Sequence, residues 1–404
     1  MKIAVLVNSF PKISETFILD QIIEMIERGH HVEIFARNKT DEEVVHEEIQ
    51  EYNLLSNTHY PNIPQNKIRR ILSAGKTFAV NFPYRPRRVI ESLRIGKYGR
   101  DALSLRMLHY SQSFKENDFD VLYCHFGPNG NLGSLLKQTG TNARVITVFH
   151  GYGIRLGIEN GPGMYDEAFK HSDLLLANSK STIDKLIKMG ADPDSIIFHS
   201  IGVNINEFYP RKDGVNGNDT DKVIVTTVAR LAEIKGHEYA IQAISEIIDR
   251  NIDPEIEYRI VGGGPKRSEL EQLVCELNIE NSVLFTGQVD RSTVQSHLKE
   301  TDLFLLSSLD EGLGIVLLEA QASGIPVIAT NVGGIPDAVN QNESAILVPP
   351  KKPMLLADEL EFLCNNPDQW IDMGNKGREY IKNNFNSNDL NDKLERVLKG
   401  NTRQ

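Results

Sequence analysis

Two series of short, nearly uninterrupted apolar runs, each followed by a segment with helical spacing, narrow the fold of this chain more than any single motif. The first series opens with "KIAVLVNS", "ETFILDQIIEMIERG" and "HVEIFAR", a strand, helix, strand unit. It continues through "DVLYCHF", "RVITVFH", "DLLLANS" and "IIFHSIGVN". Continuous apolar strands alternating with helices require a parallel sheet covered on both faces, a doubly wound α/β domain. The stretch "PRKDGVNGNDTD", residues 210 to 221, interrupts the pattern with Gly and Asp, and a second series then runs from "KVIVTTVAR" through "YRIVGGGP", "SVLFTGQV", "DLFLLSS", "PVIATNV" and "SAILVPP". The 404 residues therefore read as two similar α/β domains, 1–210 and 211–385, facing each other, with 386–404 a C-terminal helix and tail returning toward the first.

Other classes are excluded by what the chain lacks. No run approaches the ~18 apolar residues of a membrane span, and "IAVLV" after Lys2 is too short for a signal-peptide core, so a cytoplasmic chain is expected. Cys124, Cys275 and Cys364 have no metal-ligand spacing and read as buried, reduced thiols. A net charge of -11 argues against nonspecific nucleic-acid binding. That charge is uneven: residues 67 to 106 hold eleven Lys and Arg against two acids, which makes the segment +9 and the remainder -20.

Chemistry concentrates in "SSLDEGLGIVLLEAQASGIPVIAT", residues 307 to 330. "LFLLSS" before it reads as a buried strand and "LGIVLLEAQAS" as a helix closed by Gly324 and Pro326. Glu311 then lies in the loop before the helix, and Glu319 about two turns in, roughly 12 Å further at ~1.5 Å per residue. Between them the amides of Gly312, Leu313 and Gly314 sit at the positive end of the helix. Bare amides there favour an anion, and two carboxylates need partners. A ligand with hydroxyls at both ends and phosphate between, a nucleotide diphosphate sugar, satisfies all three demands. The alternative is that Glu311 helps cap the helix while Glu319 pairs with a neighbouring Lys or Arg.

Further candidates stand at other strand ends, where open α/β sheets bind ligands. "VARLAEIKGHEYAIQAI" puts Arg230 and Lys235 in the loop before a helix starting near Gly236; two cations there can neutralise a diphosphate leaving group, or can be solvated surface charges. Gly262, Gly263 and Gly264 of "VGGGP" allow close backbone approach, with Pro265 starting a helix. Gly287 and Val289 of "LFTGQV" suit backbone contact with a flat base, or an ordinary turn. In the first half "VFHGYGI" ends a strand with His150 and Gly151, where an imidazole can enter a cleft or simply be structural. Asp118 and Asp120 of "DFDV" resemble a metal pair but open a strand at its amino end, so a metal site is not expected.

Together these residues resemble the retaining glycosyltransferases of the GT-B fold, specifically family 4, whose hallmark is two Glu separated by seven residues. "ARLAEIKG", "VGGGP", "FTGQV", "DEGLGIVLLEA" and "GIPVIATNVGGIPD" occur in the family's order over 227 to 337. The first half is similar more loosely, through "FHG" and "NSKSTIDKLIKMG", and "IGVNINEF" looks like the family's interdomain strand end. "FPKISETF" after the first strand resembles bacterial exopolysaccharide transferases of the colanic-acid type. The resemblance implies two Rossmann-like domains with an interdomain cleft. It gives Glu319 the ribose hydroxyls, Arg230 and Lys235 the diphosphate, Glu311 with the Gly312 to Ile315 amides the donor sugar, and sets His150 beneath the anomeric centre. Many relatives carry a glycine pair after the first strand; here "NSFPKISETF" stands instead, with Ser14 placed to cap the next helix and Glu15 to face the cleft.

The expectation is thus a metal-independent, retaining hexosyltransferase without a cofactor, moving sugar from a nucleotide sugar, most simply a UDP-sugar, to a saccharide or polyprenyl-diphosphate-linked acceptor in cell-surface polysaccharide synthesis. A glycosidase is disfavoured because Glu311 and Glu319 share one element rather than flanking a groove. A nicotinamide dehydrogenase is disfavoured because no G-x-G-x-x-G follows the first strand and "FARNK" offers Arg37 rather than an acid. A nucleotide-sugar-binding protein or an epimerase without transferase activity shares the same cleft residues and stays open. Finally, "NKIRRILSAGKTFAVNFPYRPRRVIESLRIGKYGRDALSLRMLH" interleaves cations with apolar residues, with an amphipathic helix from Asn66 to Ala79. It suits peripheral contact with an anionic membrane on the cytoplasmic side, with Arg85, Arg87 and Arg88 as contact residues, or else an insertion packed on its own domain.

Overall fold

The computed structural model describes residues 1–12, 15–40, 46–114, 119–161, 163–210, 222–252 and 255–401, with backbone alone at 113 and 152. Ser14, Asp118 and nearly all of the polar stretch 210–221 lie outside the described residues. Contacts divide the chain into two units: Met1–His199 with Lys393–Gln404, and Ser200–Asp392.

The first unit is built on β1 (Lys2–Phe10), β2 (His31–Lys39), β3 (Thr58–His59), β4 (Val121–His125), β5 (Arg144–Phe149), β6 (Leu174–Ala177) and β7 (Ile196–Phe198), all parallel, in the order β3-β2-β1-β4-β5-β6-β7. Along β1, Ile3, Val5 and Val7 enter one core and Ala4 and Leu6 the other, so both faces are covered and the strand reads apolar throughout. The second unit has β8 (Lys222–Val228), β9 (Glu255–Val261), β10 (Val283–Gly287), β11 (Leu303–Leu306), β12 (Val327–Thr330) and β13 (Ala345–Val348), also parallel, in the order β10-β9-β8-β11-β12-β13. In each sheet the chain winds outward from a central strand and then restarts on its other side. The winding therefore reverses between β1 and β4, and between β8 and β11, and the crevice beyond the carboxyl ends of those strands is where such sheets take ligands.

The division falls at Ser200 and Lys393, where the sequence suggested 211 and 386. Hydrogen bonds explain the shift. Val203 donates its amide to the Phe385 carbonyl at 2.9 Å and accepts from Ser387 at 3.1 Å, while Arg378 donates to the Phe208 carbonyl at 2.5 Å, so 200–210 and 386–392 both stay with the second unit. From Lys393 onward the C-terminal helix Ser387–Leu398 belongs to the first unit, where Leu394, Val397 and Leu398 join the core and Arg144 donates to the Val397 carbonyl at 2.7 Å.

Two further expectations need correction. Cys124 and Cys364 are buried but Cys275 is exposed: on the helix Arg267–Glu276 it is Leu270 and Val274 that face the core, which turns the residue after Val274 outward. Arg88 is not a surface cation. It is 1 % exposed and donates to the Phe114 carbonyl at 2.9 Å, because the helix Pro86–Ser92 turns Arg88, Val89 and Ser92 inward. Burial, with Arg85 beside it, pushes its pKa down to about 10. Arg85 donates to the same Phe114 carbonyl at 2.5 Å, and of the three only Arg87 is exposed. Among the described residues no helix is long and apolar enough to cross a membrane.

Candidate functional site

In the second unit the sequence candidates gather where the winding reverses between β8 and β11. The loop after β8 lies against the glycine run after β9: Leu231 donates its amide to the Gly263 carbonyl at 2.9 Å, and Lys266 to that of Leu231 at 3.1 Å. A Cβ on Gly262 would stand 2.1 Å from the Ala229 carbonyl oxygen, and one on Gly264 2.4 Å from that of Leu231. The glycines are thus needed first for loop-on-loop contact, which leaves Arg230 exposed at the edge. A Cβ on Gly263 would press on Gln288 at 3.2 Å, and one on Gly287, which accepts from Gly262 at 2.9 Å, would meet the Arg267 guanidinium at 3.3 Å. Val289 is half-buried just beyond.

Lys235 ends a single 3-10 turn, Glu233–Lys235, before the helix His237–Asp249. Gly236 takes φ 58°, and a Cβ there would stand 2.3 Å from the Ser307 carbonyl oxygen. Ser307, directly after β11, donates its hydroxyl to the Gly236 carbonyl at 2.8 Å, and Leu309 donates its amide to Ile234 at 2.8 Å. Those bonds fasten the turn to the Glu311 loop, and Lys235 Nζ meets Glu311 Oε2 at 2.6 Å with both side chains mostly buried. On the other side Gly334 donates its amide to the Glu311 carbonyl at 3.0 Å, and Gly333 must lack a Cβ, which would stand 2.0 Å from that oxygen.

The helix Ile315–Ala322 starts from Gly314 at φ 85° with no side-chain cap. Leu317, Leu318, Ala320, Gln321 and Ala322 are buried, which leaves Ile315, Val316 and Glu319 on one half-exposed face. A carboxylate clamped to a lysine, an uncapped helix start with Gly312 and Leu313 before it, and a second carboxylate on the open face therefore form one edge. The alternative of Glu311 as a helix cap fails: its side chain goes to Lys235 and caps nothing. Sequence reading missed Ser307 and His237. His237, buried with its pKa pushed down to about 4 by burial, bonds the Arg230 carbonyl through Nε2 at 3.2 Å. The signal for Ser307 was its place immediately after a central strand.

In the first unit His150 follows β5 as the N-cap of the helix Gly151–Asn160, and Gly151 is that helix's first residue. His150 is not alone: Nε2 lies 3.1 Å from Nδ1 of His125 at the end of β4, with the rings stacked 5.4 Å apart at 11°. Phe17 and Phe126 pack on His150, and Phe126 holds φ 71°, which L residues rarely adopt. Burial pushes the His150 pKa down to about 3, and burial with His150 alongside holds His125 well below its ordinary value. Both rings are therefore neutral near pH 7, one donating and one accepting, while His125 Nε2 and His150 Nδ1 are buried without a partner among the described residues. His125 was legible as the second of two histidines ending neighbouring central strands. Glu15 is the N-cap of the helix Thr16–Glu27, makes no side-chain cap hydrogen bond, and pairs with Lys12. Asp120 accepts from the Lys2 amide at 2.7 Å, and among the described residues no three His, Cys, Asp or Glu side chains are placed to share a metal ion.

The chain matches the glycosyltransferase family 4 model over residues 14–207 and the glycosyl transferases group 1 model over 209–386. It is 31% identical to the putative colanic acid biosynthesis glycosyltransferase WcaL of Salmonella typhimurium, over 98% of this chain and 99% of that one. This chain belongs to the family 4 glycosyltransferases. The amylovoran biosynthesis glycosyltransferase AmsK of Erwinia amylovora is a further relative of this family 4 chain, 29% identical over 98% of it and 99% of the relative. Among solved structures, Anabaena Alr3699/HepE in complex with UDP has a TM-score of 0.75 at 16% identity, covering 99% of this chain and all of that one, so the fold is GT-B.

Proposed function

We propose that this family 4 glycosyltransferase moves a hexose from a nucleoside diphosphate sugar, with UDP as the nucleotide, to a saccharide acceptor in exopolysaccharide assembly. The relatives WcaL and AmsK, named for colanic acid and amylovoran biosynthesis, support the pathway class, and the UDP in the HepE structure supports the nucleotide. The observation that carries the reading is the Lys235–Glu311 pair beside the uncapped helix start at the β8/β11 reversal. A diphosphate seated there meets Lys235, Arg230 and helix amides, and Glu319 lies further along the open face for the ribose hydroxyls.

In this reading the bond between the anomeric carbon and the β-phosphate oxygen breaks with its electron pair going to the diphosphate, whose growing charge Lys235 and Arg230 offset without a metal. The acceptor oxygen attacks on the same face, which retains the configuration. His150 is too weak a base near neutral pH to take the hydroxyl proton, so that proton goes to the departing diphosphate, and His150 serves as a neutral hydrogen-bonding group. A lipid-linked acceptor and peripheral membrane attachment through segment 67–106 complete the proposal. The test is a thermal-shift screen with UDP-, GDP- and ADP-sugars, followed by UDP release with and without acceptor. A shift by UDP-sugars and release that requires acceptor are expected; sugar interconversion without acceptor would contradict transfer.

A further inference from the structure

The helix Lys67–Asn81 is mounted on its domain the reverse way round from an ordinary surface helix. Asn66 caps it, its side chain accepting from the Ile68 and Arg69 amides. The inward face is Arg70 and Ala74, with Thr77 and Asn81 half-buried; Ala74 packs on Val89 and Leu108, and Arg70 donates to the Gln65 carbonyl at 3.0 Å. The apolar residues face water: Ile68, Ile71 and Leu72 are 71%, 62% and 70% exposed. Phe78 and Phe82 stack on each other, centroids 4.9 Å apart, and both are exposed. Positions 68, 71, 72, 75, 79 and 82 follow the three-and-four spacing of a single helix face, so these side chains form one stripe. The exposed Lys67 lies on one flank of the stripe, and the exposed Arg69 and Lys76 lie on the other.

Charge identifies what covers the stripe. Of the eleven cations in 67–106, Arg70 and Arg88 are buried, but Lys67, Arg69 and Lys76 beside the stripe are exposed, and the segment's two acids are occupied, Glu91 by Arg94 and Lys97, Asp101 by Arg37. The surface therefore presents an apolar ridge with Lys67 on one flank and Arg69 and Lys76 on the other, complementary to a plane that is apolar below and anionic above. Pairing of this face with itself in a second copy would set Lys67, Arg69 and Lys76 against their own kind.

We infer that the outward face of the helix Lys67–Asn81 is an in-plane membrane-binding element that seats Ile68, Ile71 and Leu72 in the acyl boundary of an anionic bilayer. This deepens the peripheral attachment proposed above and moves its centre from Arg85 and Arg88, which are held by the Phe114 carbonyl, to the preceding helix. Each exposed cation near an anionic surface is worth about fivefold in partitioning, and the apolar stripe supplies the remainder.

The test is flotation of the full chain with vesicles of phosphatidylglycerol and phosphatidylcholine, or phosphatidylcholine alone, at low and high salt, with UDP thermal shift measured in parallel. Wild type is expected on the anionic vesicles at low salt, with affinity at least tenfold lower at high salt. Ile71→Glu with Leu72→Glu, and separately Arg69→Glu with Lys76→Glu, should each lower vesicle affinity more than tenfold while keeping the melting midpoint and the UDP shift, since all four side chains are exposed. Equal binding to neutral vesicles, no binding at low salt, or variants that bind like wild type would overturn the inference. So would lipid-free dimerisation of the wild type that the Glu variants abolish, which would make a second copy the occupant. A wild type that binds vesicles without a UDP shift would indict the donor-site reading and leave this inference standing.

Discussion

Between the loops after β8 and β11 a lysine meets a carboxylate, whereas at the carboxyl ends of β4 and β5 two neutral imidazoles meet. The second sheet's edge holds Lys235 on Glu311 at 2.6 Å, Arg230 exposed earlier in the loop that carries Lys235, and a helix start with no side-chain cap. The first sheet's edge holds two stacked, neutral imidazoles among Phe17 and Phe126, each with a ring nitrogen lacking a partner among the described residues. Both use the same topological reversal, so the contrast lies in the loops. One place offers an anion cations and helix amides; the other offers neutral imidazoles in an aromatic setting.

Acid should break that contrast most strongly. Unfolded, the imidazoles protonate near pH 6.5; folded, His150 does so near 3 and His199 near 4, both lowered by burial. Between those values the unfolded chain binds more protons, so this stability is complete above about pH 6.5 and is lost as pH falls. At pH 5 each such histidine costs about 2 kcal/mol. The first unit has His125, His150 and His199, with His30, His109 and His171 also lowered, while the second has His237, lowered to about 4, and His297, also lowered. Trp370, the chain's one tryptophan, is buried in the second unit, so its fluorescence reports that unit alone. On titration from pH 7 to 4.5, circular dichroism should change before Trp370 fluorescence does; coincident transitions would refute the difference.

Next in size are the effects on turnover. Lys235→Ala should lower kcat by about 10²- to 10³-fold with little change in donor KM, because the leaving diphosphate gains charge in the transition state. An unchanged kcat would remove Lys235 from the chemistry. Smaller still, Gly236→Ala should destabilise by about 2–3 kcal/mol, since its Cβ meets the Ser307 carbonyl at a positive φ; a melting midpoint within experimental scatter would show that the turn relaxes.

Much of this is legible in the sequence. The strand and helix alternation dictates two parallel sheets, and every donor-side candidate stands after a strand because such sheets bind ligands there. Pairings were less legible, since Lys235 and Glu311 are 76 residues apart and meet only because Ser307 and Leu309 hold the Gly236 turn. Buried arginines were illegible for a similar reason. Arg88 depends on the carbonyl of Phe114, and Arg37, read only as a missing acid, donates to Asp101, Asn129 and the Pro128 carbonyl beneath Tyr110. The amphipathic pattern of the helix Lys67–Asn81 was plain, but periodicity does not say which face a domain accepts. Here it accepts the one with Arg70 and Ala74.

The central claim is that the two edges divide the labour, the charged one binding nucleotide sugar and the neutral one serving the step that follows. Calorimetric titration of UDP into wild type, Glu319→Ala and His150→Ala tests it most directly. Loss of a ribose contact made equally in ground and transition states should weaken UDP about 10- to 100-fold in Glu319→Ala. His150→Ala should bind UDP within a few fold of wild type while losing most turnover. UDP affinity lost in His150→Ala and kept in Glu319→Ala would contradict the account.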